Sequence, residues 1–223
     1  MSKLDFEKLS QVKLTKGQHA DPRSGGCAMD MVSWLQYGHA GDHPECVCPV
    51  IATFIRQVND FLPDDQRQRL VPYLLRFSGT VSKEHEQQRA EYLTWKSITV
   101  FTPLALEAAE LREDAEKLKA LPQNTSMQGL EAAAWAAWAA SAARAAESAA
   151  ASAAWAAESA AWAESAAESA AWAGAENKLY DAVFETIDGL LSIGPSGVVD
   201  LLPVEAPSRL EKFLELQKER VSA

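Results

Sequence analysis

The chain has 223 residues, with 31 acidic against 21 basic side chains and a formal charge of −10; 48% of it is hydrophobic and 23% charged. That composition is ordinary for a globular protein and leaves room for one domain or two small ones. The acid excess argues against binding a nucleic-acid backbone, and admits a basic protein partner or plain solubility.

No run of about 18 apolar residues reads as a membrane span. The one long weakly polar tract carries Arg144, Glu147, Glu158, Glu164 and Glu168, which would be costly in lipid. The opening residues MSKLDFEKLSQVKL lack the apolar core of a secretory signal. Three cysteines, Cys27, Cys46 and Cys48, are an odd number, so reduced thiols and a cytoplasmic location are expected.

In chain order, a short helix is expected over Phe6–Leu14, followed by an irregular arm rich in turn formers (Gly17, Pro22, Gly25, Gly26). Cys27, Met31, Trp34 and Leu35 recur at helical spacing up to Tyr37, with Gly38 as a C-terminal cap. Residues 38–49 read as a loop. Pro49 suits the first turn of the next helix, where its missing N–H costs nothing. That helix runs to about Phe61 and is expected to bury Val50, Phe54, Val58 and Phe61. LPDD at 62–65 is a turn and a helix start, and Pro72 restricts 66–77 to short helical pieces. Ser82 opens a helix to about Phe101, with Tyr92, Trp95 and Ile98 on one side. Thr102-Pro103 opens another, Leu104 to Leu121, with Leu104, Ala108, Leu111, Ala115 and Leu118 as its apolar stripe.

Pro122 to Gly129 reads as a linker. Beyond it, 27 of the 45 residues from Glu131 to Ala175 are Ala and five are Trp. Alanine loses no side-chain entropy in a helix, so the tract is a helix by propensity. Its Trp, Ser, Glu and Arg residues recur every three or four positions, about 3.4 on average, below the 3.6 of a straight helix. Such a stripe favours a left-handed wind of the contact face. Two eleven-residue copies, SAARAAESAAA at 141–151 and SAAWAAESAAW at 152–162, taken alone favour the opposite hand. Leu179, Val183, Ile187 and Leu190 then form an amphipathic helix, IGPSG at 193–197 breaks it, and a last helix from Ser208 to about Val221 turns Leu210, Phe213, Leu214 and Leu216 inward.

The expected class is all-α, with no convincing strand pair. The parts are an N-terminal arm (1–25), a helical domain (26–121), a linker (122–130), the long Ala/Trp-rich helix (131–175) and two C-terminal helices (176–223). Forty-five helical residues would make a rod of roughly 67 Å, whereas a compact chain of this size has a radius of gyration of about 17 Å. Either the rod folds back on its own domain, or it protrudes and Trp135, Trp138, Trp155, Trp162 and Trp172 meet a protein partner or a second copy in a homodimer.

Chemistry concentrates in one loop, where His39, Asp42, His43, Glu45, Cys46 and Cys48 lie within ten residues. His39, His43, Cys46 and Cys27 could form an N/S zinc site. A thiol with an imidazole could also act as a nucleophile. Alternatively the segment is a capped loop, with its cysteines buried as small apolar residues. There is no phosphate loop, dinucleotide fingerprint or G-x-S-x-G, and no cofactor is otherwise expected.

The run from Gly26 to Thr80 resembles a group of uncharacterised phage and bacterial proteins. It shares with them Gly26-Cys27, Asp42-His43-Pro44, Cys46, Pro49, Asn59-Asp60, Leu62-Pro63-Asp64, Pro72-Tyr73 and Gly79-Thr80, and the downstream Ala/Trp tract is also similar. Cys48 departs from the pattern, standing where a small hydroxyl residue is expected. The resemblance covers about two-thirds of the chain and implies a phage or prophage setting without a particular activity. The combined expectation is a non-enzymatic protein-interaction factor, phage-linked and acting on a host protein through its helical surface. The alternatives are a metal-dependent or thiol enzyme centred on 39–48, and a virion structural component.

Overall fold

The computed structural model describes residues 4–108, 110–126, 128–130, 132–133, 135–136, 161–195 and 202–221, with side chains omitted over 161–175 and 220–221. Every regular element among them is helical, so the fold is all-α. The helices are α1 (Phe6–Leu9), α2 (Ala28–Tyr37), α3 (Pro49–Phe61), α4 (Asp64–Arg67), α5 (Leu74–Phe77), α6 (Lys83–Lys96), α7 (Thr102–Ala108), α8 (Arg112–Lys119), α9 (Ala161–Ser192) and α10 (Ala206–Val221). A 3₁₀ segment, Gln68–Tyr73, links α4 to α5, and a π-helical turn, Ser97–Phe101, links α6 to α7. The chain forms two compact units, residues 1–90 with 187–223, and residues 91–186. Both dividing points lie inside helices, α6 and α9.

In the first unit, α2 packs on α3, α5 and α10. Its N-terminus is closed by a capping box: Cys27 Sγ accepts from the Asp30 N–H, and the Asp30 carboxylate accepts from the Cys27 N–H. Gly38 closes the other end at φ 81°, a left-handed conformation that costs glycine nothing. The expected α2 stripe is buried, and so are Met29 and Val32 between its members. A helix apolar on most of its surface is a core helix.

The α3 stripe is corrected by one position. Ile51, Ala52, Ile55, Val58 and Asn59 face inward, continued by Leu62, while Phe61 is 55% exposed and Val50 and Phe54 are half-buried. Both stripes are apolar at helical spacing, so periodicity could not choose between them.

The expected single helix over Leu104–Leu121 is also corrected. It breaks at Glu110, a non-glycine residue at φ 61°. The Leu111 N–H reaches back to Leu106 O at 2.8 Å, closing α7 with a Schellman-type bond. The turn brings Leu106 against Leu111, Ala115 and Leu118, with Ile98, Leu121 and Ala133 around them. This cluster belongs to the second unit. The π-helical turn has a covalent cause: Pro103 has no N–H and its ring crowds the carbonyl four residues back. The backbone widens just before it, and both the N–H and the hydroxyl of Thr102 bond to Ser97 O.

The expected short helix at the N-terminus stops at Leu9 rather than Leu14. Gly174, where the composition changes, interrupts nothing: α9 runs through it from Ala161 to Ser192. Ala182, Val183, Phe184, Thr186, Ile187, Leu190 and Leu191 bury the last part of that helix. It ends before Gly194, which sits at φ 73°.

Three arginines bind the carbonyls that helix ends leave unpaired. Arg67, 4% exposed, donates to Asn59 O and Leu62 O at the end of α3. Arg209 donates to Leu35 O and Gln36 O at the end of α2. Arg89, fully buried, donates to Thr80 O and to Ile193 O and Pro195 O just past α9. The negative end of a helix dipole favours a cation at each place.

Candidate functional site

The loop that follows α2 is built on backbone hydrogen bonds. Gly79 N–H donates to Cys46 O at 2.8 Å, and Cys48 N–H donates to the Thr80 hydroxyl at 3.0 Å. That hydroxyl donates in turn to Phe77 O. Arg56 donates to Asp42 O at 3.0 Å. The turn after α5 and the side of α3 thus hold the segment 42–48 in place.

Its side chains point to different neighbours. His39 is exposed and stacks on Tyr37, with ring centroids 5.8 Å apart. His43 is exposed and pairs with Asp42 at 2.6 Å. Cys46 is half-buried, and its thiol meets the Tyr37 hydroxyl. Burial first, then Cys46, pushes the Tyr37 phenol up to about 12. Cys48 is fully buried at the start of α3. Cys27 lies at the head of α2, and burial followed by the Asp30 charge pushes its thiol well up. Among the described residues no group of three or more His, Cys, Asp or Glu side chains stands where it could hold a metal ion. The four expected ligands, His39, His43, Cys46 and Cys27, are accordingly not gathered into such a group.

Of the expected contact tryptophans, Trp135 is helical and 61% exposed. Trp162 and Trp172 lie on α9. Trp138 and Trp155 fall outside the described residues.

A second polar cluster, not anticipated from the sequence, joins the arm before α2 to the helix itself. His19 N–H donates to Asp30 Oδ2 at 3.1 Å, and His19 Nδ1 lies 3.3 Å from the same oxygen. His19 Nε2 lies 3.3 Å from Thr15 Oγ1, which accepts the Gly26 N–H at 2.9 Å. Asn59, fully buried on α3, accepts from Ala28 N–H and donates to Thr15 O. Asp30 is 1% exposed, and its Oδ1 has no hydrogen-bond partner among the described residues. Thr15, His19 and Asp30 are spread over sixteen positions with no motif spacing. The only local signal was a capping aspartate three residues after Cys27.

Compared with known protein families, curated proteins and solved structures, the chain matches none of them. Several residues behind the phage-group resemblance sit at tight backbone junctions: Cys27 caps α2, Asn59 ties α3 to α2, and Gly79-Thr80 clasp the loop around Cys46. Such residue types in such places fix a fold. No helix among the described residues is long and apolar enough to cross a membrane.

Proposed function

We infer that this chain works by binding another protein, without a reaction of its own at the 39–48 loop, and that the Ala/Trp-rich helix is the binding element. One observation carries the reading. Residues 161–175 of the tract are the first half of α9, a single helix of 32 residues. Its last two to three turns are buried on residues 182–191. A helix fixed at one end has little conformational entropy left to lose along the rest of its length on binding. Alanine lets a partner backbone approach closely, and tryptophan supplies most of the contact energy at such interfaces.

The thiol chemistry supports the same side. A buried thiol pushed to high pKa is a poor nucleophile, which argues against Cys27 in a catalytic role. The acid excess suits a basic partner surface. A phage-linked accessory factor acting on a host protein is the concrete form of this proposal.

The test compares full-length protein with a W162S/W172S variant, using light scattering for mass and affinity purification from the producing bacterium. The expected result is a homodimer or a stoichiometric complex with one protein, lost in the variant at unchanged unfolding temperature. A strictly monomeric wild type with no stoichiometric partner overturns the reading, as does a complex indifferent to both substitutions.

A further inference from the structure

We propose that Thr15, His19 and Asp30 form an acyl-transfer relay, with Thr15 as the nucleophile and small neutral or cationic esters as the substrate class. It is independent of the docking reading and lies in a different part of the chain. The hydrogen-bond order is the one such chemistry needs. Asp30 Oδ2 lies 3.3 Å from His19 Nδ1. A carboxylate can only accept, so it places a ring proton on Nδ1, and in the neutral imidazole Nε2 is then bare. The bare nitrogen lies 3.3 Å from Thr15 Oγ1. The Gly26 N–H already donates to that oxygen, so the hydroxyl proton is free to point at Nε2. Distances of this length are common before substrate tightens the site.

Thr15 and His19 are half-buried, the His19 side chain at 12% exposure, and the Asp30 side chain is 1% exposed. The Cys27 and His19 backbone N–H groups hold the carboxylate from the same side as the ring. Gly25 completes the cradle at φ 134°: a Cβ there would sit 2.4 Å from Thr15 Oγ1 and 2.6 Å from His19 Nε2. Only glycine leaves that pair uncrowded.

The step balances without a co-reactant other than water. Thr15 Oγ1 bonds to the ester carbonyl carbon while its proton passes to His19 Nε2. The tetrahedral adduct collapses, the C–O bond to the alcohol breaks, and the alcohol takes the proton from Nε2. Water then attacks the acyl-threonine carbonyl carbon, giving a proton to Nε2; the bond from that carbon to Oγ1 breaks, Oγ1 takes the proton from Nε2, and the acid leaves. Asp30 is a positioning residue, acting through the ring. The acidic chain disfavours anionic esters.

Full-length protein is treated with an alkyl fluorophosphonate, which forms an O–P bond and expels fluoride, and is read by intact mass and peptide mapping. One adduct, on Thr15, is expected. T15A abolishes it. T15S keeps the hydrogen bonds with a less hindered hydroxyl and labels faster. H19A slows labelling by about 100-fold or more, and added imidazole restores part of it, which a purely structural histidine would not allow. Circular dichroism checks that each variant is folded. Wild type and T15S both unlabelled in excess probe, or T15A labelled at the wild-type rate, overturns the proposal.

Discussion

The indole N–H of Trp34 donates to the backbone carbonyl of Arg209 at 2.8 Å, and the Arg209 guanidinium returns bonds to the carbonyls of Leu35 and Gln36. Two helices 175 positions apart thus cap and hold each other. The ring of Phe213, one turn on, meets Trp34 edge-on at 6.0 Å. Gly26 makes room for it, since a Cβ there would come within 2.9 Å of the Phe213 ring.

Replacing Arg209 with Ala should therefore unfasten α10 from α2. The two carbonyl bonds are part-buried, and hydrogen bonds to a charged group are worth about 1.5–3 kcal/mol. Trp34→Phe keeps an aromatic ring but loses the donor, at about 1 kcal/mol for the hydrogen bond, and adds the cost of the lost indole volume. Urea unfolding of both single variants and the double variant measures the coupling. Strictly additive losses would contradict a mutual clasp.

Asn59 joins three segments at once, so its substitution should be severe for a single polar residue. Asn59→Ala leaves the Ala28 N–H and the Thr15 carbonyl without their partner. Each buried orphan costs about 1–3 kcal/mol. Hydrogen exchange at the Ala28 amide should quicken in this variant beyond any global change. An Asn59→Asp variant keeps the acceptor for Ala28 and should retain more of that protection.

Gly25→Ala should destabilise the arm before α2 for two reasons. The residue sits at φ 134°, which L side chains rarely adopt, and the added methyl would overlap Thr15 and His19. The expected loss is about 1–3 kcal/mol, by thermal or urea unfolding. A Gly17→Ala change shares the positive φ but meets nothing within 4 Å, so the difference between the two isolates the overlap.

The thiols should react in a fixed order. Cys46 is half-buried, whereas Cys27 and Cys48 are buried and Cys27 is pushed to high pKa. A thiol reagent in the native protein should modify Cys46 first, with the other two protected until unfolding. Tyr37 gives a related signal at alkaline pH. Its phenol is raised to about 12, so the folded state prefers the neutral form. That preference is fully present below the unfolded value of about 10 and is lost as pH rises through about 12. Stability should fall across that window, less steeply in Tyr37→Phe, as followed by unfolding midpoints from pH 9 upward.

The resemblance motifs and the apolar spacings say which residue types recur along the chain, but not how those residues meet. The 39–48 loop was conspicuous because metal-ligating residue types crowd together there. The fold turns His39 onto Tyr37, His43 onto Asp42 and Cys27 into a helix cap. Thr15, His19 and Asp30 belong to different segments and share no spacing rule. Arg89 stands on the polar helix α6 and is fully buried. Its reason lies in carbonyls more than a hundred positions away.

Local sequence sufficed wherever the cause is local. It determined the helical class, the left-handed cap at Gly38, the entry of α3 at Pro49, and the end of α9 before Gly194. Backbone propensity, the proline ring and the glycine conformation act within a few residues, so they can be read in order along the chain. Tertiary structure alone decided which of two adjacent apolar stripes of α3 turns inward, where α7 breaks from α8, and which carbonyls the arginines close. Those choices depend on surfaces and unpaired groups supplied by distant segments, and a helical period leaves them open because neighbouring faces of an apolar helix satisfy it equally well.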